Sequence, residues 1–147
     1  MPPPHHHARL PSVRRGEFDW FATDGAGHVG HFATAGFGPI PAIVLERLEE
    51  LRKLDERILQ QVPVIGEASG HLPGRVDDWL EMARRGLFSY DWQHWDGPYR
   101  RAATPSRPIT ITDLPAALSD AVRIVAWPDV RFAELTDLRP EELCTCE

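Results

Sequence analysis

The chain has 147 residues, with 16 basic and 22 acidic side chains, a formal net charge of −6, 42% hydrophobic residues and 26% charged residues. That length supports one domain with its own core, no apolar run approaches the ~18 residues of a membrane helix, and the acidic balance disfavours nucleic acid as a partner. The amino terminus lacks the apolar stretch of a secretory signal, and the two cysteines, Cys144 and Cys146, stand too close together to staple a core, so a cytoplasmic location is expected.

Residues 1–15 carry three prolines, His5, His6, His7 and several arginines without apolar periodicity. They read as a disordered tail, and residues 16–147 as a single domain. Phe18, Trp20, Phe21 and Thr23 mark a strand, residues 24–27 carry turn chemistry, and residues 28–34 return as a second strand. The expectation is a β-hairpin. Pro41 suits the first position of a helix running over 41–62. Val44, Leu48, Leu51, Ile58 and Val62 form its apolar stripe, flanked by Leu54 and Leu59. Asp55 falls inside that stripe, either as a rim position or as a buried partner for an arginine.

Pro63 ends this helix, and residues 66–74, which include His71, read as a loop. A shorter helix is predicted over 76–85, with Asp77 and Asp78 at its positive end and Val76, Trp79, Leu80 and Ala83 facing inward. Strands are predicted over 87–92, 99–103 and 109–111. A third helix follows, capped by Thr112 or Asp113, with Leu114, Leu118, Ala121, Val122 and Val125 as its stripe. Residues 130–135 alternate weakly as a last strand, and 139–143 form a closing helical turn. The class is α+β: a mixed or antiparallel sheet that begins with the hairpin, with helices packed on one face.

Several motifs fail on mechanism. Gly25, Gly27 and Gly30 match a dinucleotide-binding G-x-G-x-x-G, yet that site needs a helix starting within the glycines, and strand composition follows them here. His28 and His31, three apart on a strand, point to opposite faces and cannot share a metal. Ser89 with His94 and Asp91 is no relay, because Ser89 and Asp91 share one strand face. No catalytic residue, metal site or cofactor is assigned. Cys144 and Cys146 read as tail thiols.

One segment concentrates recognition chemistry. Tyr90, Trp92, His94, Trp95, Asp96, Tyr99 and Arg100 are the partner- or ligand-binding candidates, because aromatic residues and arginine anchor interfaces. In a hairpin, half of them must face the core.

Residues 18–24, 27–32, 86–92 and 97–101 resemble a group of small bacterial proteins, with the likeness covering most of 17–115. No catalytic residues are established for that group, so none is carried over. Small acidic proteins of this kind are similar in size and charge to immunity proteins, which neutralise toxins by direct binding. The expected function is therefore a non-enzymatic protein-binding module with a basic partner, most concretely in an immunity-type role against a basic toxin domain. The alternative is a small-molecule binder or enzyme with a pocket between sheet and helices, using Trp92, His94, Asp96 and Arg100. Oligomeric state is left open.

Overall fold

β1 (Asp19–Asp24) and β2 (Val29–Ala33) form the expected hairpin, paired antiparallel from Asp19 opposite Ala33 to Thr23 opposite Val29. The computed structural model describes residues 18–72 and 77–147; the tail expected over 1–15 and the inward-facing role of Val76 lie outside the described residues. Asp24 organises the hairpin turn. Its Oδ1 accepts hydrogen bonds from the amides of Ala26 and His28 at 3.0 and 2.8 Å, and Gly27 takes a φ of +81° that disfavours any side chain.

The helical pattern over 41–62 folds as three pieces, α1 (Ala42–Glu46), α2 (Leu48–Leu51) and α3 (Leu54–Gln61). Pro41 is the N-cap, one position earlier than expected. Arg47 and Lys53, at the breaks, have φ of −118° and −117°. Packing accounts for the division. On one straight helix Leu54 lies at the flank of the stripe; the break at Lys53 turns it inward, and it is buried like Leu51 and Ile58, while Leu59 stays exposed.

β3 (Ala68–Gly70) lies in the segment expected to be a loop. α4 (Asp77–Arg84), β4 (Phe88–Trp92) and β5 (Tyr99–Pro105) follow as expected. Residues 109–111 do not form a strand: Thr110 makes an isolated bridge to His28 and caps a 3-10 turn, Ile111–Asp113. α5 (Ala116–Val122) begins after Pro115 at its N-cap, and neither Thr112 nor Asp113 caps it. β6 (Ala126–Trp127) and β7 (Asp137–Leu138) are short. The alternation over 130–135 is also corrected. Phe132–Glu134 is a 3-10 turn, because the Phe132 amide is drawn away to Asp24 Oδ2 at 2.8 Å.

Among the described residues seven strands form one mixed sheet, ordered β3-β5-β4-β2-β1-β6, with β7 also on β5. β2 runs parallel to β4 and β1 parallel to β6; the other pairs are antiparallel. Strand alternation sorts the two faces. Trp20, Phe32, Tyr90 and Tyr99 share one face, covered by Trp127 and Phe132 from the carboxyl-terminal third. A Cβ on Gly30 would come within 2.9 Å of the Phe132 ring, so that strand position must be glycine. Asp19, Phe21, His31 and Ser89 share the other face, over which α3 packs. No helix among the described residues is long and apolar enough to cross a membrane.

Candidate functional site

Parallel β2 and β4 send their following loops out at the same end of the sheet. Residues 34–38 and 93–98 flank one buried side chain there, Trp92. A Cβ on Gly38 would lie 3.2 Å from Trp92 Cβ, and one on Gly97 would strike the indole ring. Each loop presents one exposed large hydrophobic ring: Phe37 is 71% exposed and Trp95 84%. The turn carrying Trp95 is held through its backbone. Trp92 Nε1 donates to the Trp95 carbonyl at 3.2 Å, and Arg139 Nη1 donates to the Asp96 carbonyl at 3.2 Å.

The seven candidates from the sequence divide into two groups. Tyr90, Trp92 and Tyr99 belong to the core and offer nothing to a partner. Tyr90 Oη donates to the Leu135 carbonyl at 2.7 Å, and burial pushes its pKa up to about 12. Tyr99 Oη donates to the Pro39 carbonyl at 3.0 Å and accepts from Trp20 Nε1 at 3.2 Å; burial holds it well above the usual tyrosine value. His94, Trp95, Asp96 and Arg100 are exposed. Arg100 stands between Asp91 and Asp137 in the strand register. Trp92, His94, Asp96 and Arg100 do not converge on a pocket between sheet and helices. Among the described residues a small, partly open cavity in that layer, lined by residues including Trp20, Phe21, Val44, Leu54 and Val125, measures about 10 Å³, room for one water.

A second cluster escaped the sequence reading. His31 is fully buried on β2, on the face opposite His28, whose ring lies by Phe88. His31 Nε2 is 2.8 Å from Asp19 Oδ2, and Nδ1 is 2.7 Å from Ser89 Oγ. With the carboxylate as acceptor, partner chemistry assigns the proton to Nε2 and makes Nδ1 the acceptor of the Ser89 hydroxyl. The chain Ser89–His31–Asp19 thus has relay components. Ser89 and His31 have no exposed surface, so the burial that aligns them withholds the Ser89 oxygen from an external acyl group. Asp19 is the end that reaches solvent, at 18% side-chain exposure.

Asp55 of α3 stands over this chain as a rim group. Its carboxyl is held above the usual aspartate range, first by burial and then by the Asp19 charge, with the Glu56 amide opposing. The sign follows from linkage. A carboxyl whose folded pKa is raised favours folding fully below the unfolded value, and that contribution disappears as pH rises through the folded value. Asp55→Asn is therefore expected to raise stability at pH 7 by about 1 kcal/mol or less, since half the group is solvent-screened. The gain should vanish as pH falls toward about 3.9. Urea midpoints across that range check it; an equal or lower midpoint at pH 7 contradicts it.

Among the described residues no group of three His, Cys, Asp or Glu side chains is placed to hold a metal ion. No protein-family model matches the chain, and no curated protein and no solved structure matches it.

Proposed function

We propose that this chain is a non-enzymatic protein-binding module that docks through the sheet end carrying Phe37 and Trp95, and that its partner is basic. The observation that carries the reading is Trp95: a large indole left 84% exposed on a turn whose backbone is fixed by Trp92 and Arg139. A pre-positioned aromatic ring loses little freedom on binding and suits a hot-spot role. The net charge of −6, with eight acidic and three basic residues over 108–147, favours a basic surface opposite and a salt-dependent association rate. In its most concrete form the module is immunity-type, acting in the cytoplasm by covering a basic toxin domain.

The test is co-expression with the product of any toxin gene beside its own, followed by affinity capture. Trp95→Ala should weaken capture roughly thirty-fold, the ~2 kcal/mol of a hot-spot residue, with an unchanged melting temperature. Binding that survives Trp95→Ala together with Phe37→Ala, or a toxin whose toxicity the wild-type chain leaves intact, would sink the reading.

A further inference from the structure

The chain has two cysteines, separated by one residue. The carboxyl-terminal segment that bears them is zipped antiparallel to the segment leading into α1: Cys146 is bridged to Pro41, the Ala42 amide donates to the Thr145 carbonyl at 2.8 Å, and Ile40 and Glu147 exchange amide–carbonyl bonds at 3.1 and 2.9 Å. Both cysteines are free and half-buried, within reach of a small reagent, and their sulfurs are 3.9 Å apart. An S–S bond of about 2.05 Å needs an approach of roughly 2 Å.

We infer that Cys144 and Cys146 are a reversible redox site, closed by exchange with a low-molecular-weight disulfide such as glutathione disulfide, and that closure unzips the carboxyl-terminal segment from residues 40–42. An extended step of two residues spans about 6.6 Å, at the upper end of the roughly 4.4–6.8 Å between Cα atoms that disulfides span and beyond the 5.5–6 Å they favour. Closing the bond at the favoured separation draws the main chain in at Thr145, whose carbonyl holds the Ala42 amide.

The exchange balances. The Cys144 thiolate attacks glutathione disulfide and expels one glutathione thiolate; Cys146 then gives up its proton, attacks the Cys144 sulfur and expels the second. Two protein thiols lose two electrons and two protons, and both reach the two glutathione molecules released. Burial, then the neighbouring Cys144, pushes the Cys146 thiol up; a raised thiol is the slower attacker, so the first step falls to Cys144 and the second is helped by being intramolecular.

The full chain should be equilibrated in glutathione buffers of graded oxidised fraction, then read by intact mass and amide hydrogen exchange. The expected product has lost two hydrogens and carries no glutathione. Protection of the Ala42 amide should fall at least tenfold and return on reduction. Cys144→Ser and Cys146→Ser should keep Ala42 protected in the same buffers. A persistent glutathione adduct, a disulfide-linked dimer, or unreacted thiols would overturn the redox site. An intramolecular disulfide with Ala42 still protected would overturn the unzipping.

Discussion

Phe32→Ala is expected to destabilise the protein by about 4 kcal/mol, the cost of emptying a fully buried aromatic site. Phe32 lies at the centre of the aromatic face. Its ring stacks on Trp20 at 4.3 Å and 10°, and on Tyr90 at 5.1 Å and 8°, and meets Tyr99, Trp127 and Phe132 edge-on at 5.3, 6.0 and 6.0 Å. The site has little means of collapse, because its neighbours are tied elsewhere: Trp20 to Tyr99, Tyr99 to Pro39, and Tyr90 to Leu135. Phe32→Leu keeps most of the volume and should cost about 1.5 kcal/mol, with the stacking contribution lost. Since a domain holds only about 5–15 kcal/mol in total, the alanine variant should melt roughly 8–16 °C lower. Calorimetry decides it; a leucine variant that melts with the wild type would mean that the rings merely fill space.

What could be read ahead of the structure followed the range of each interaction. The hairpin was legible because both its alternation and its turn chemistry lie within residues 18–34. β3 was not: Ala68, Ser69 and Gly70 have no strand preference, and their state comes from pairing with Pro105, Thr104 and Ala103. The break at Lys53 has no glycine or proline to announce it, and reflects where Leu54 must point. At the candidate docking end, the wealth of aromatics over 90–101 was visible in composition. Which half faces out depends on Tyr90 stacking on Phe32, a contact from another strand. Phe37, a lone ring in a glycine-rich loop, carried no signal. Asp19, His31 and Ser89 are 12 and 58 residues apart along the chain. Alternation places His31 with Val29 and Ala33 on one face, and Asp55 interrupts an apolar stripe. These two hints join only once the strand register is known.

The same long reach makes Asp24 the second position of large effect. Its carboxylate accepts three amide bonds: Ala26 and His28 at Oδ1, from the hairpin turn, and Phe132 at Oδ2, from 108 residues away. Asp24→Ala strands all three donors, two of them at the turn and one in the core. Charge-assisted bonds of this kind are the strong ones, and an orphaned buried donor costs its desolvation. The expected loss is about 3 kcal/mol, or roughly 6–12 °C of melting temperature. Asp24→Asn separates the two functions. With its oxygen at the Oδ1 position it keeps the Ala26 and His28 bonds and turns an NH₂ toward the Phe132 amide, donor against donor. That variant should lose about half as much, with hydrogen-exchange protection reduced at Phe132 and retained at His28. The alanine variant should lose protection at both. If both substitutions expose only the turn amides, the Phe132 segment is held by its ring against Gly30 and Phe32, and the Asp24 carboxylate is a local turn cap.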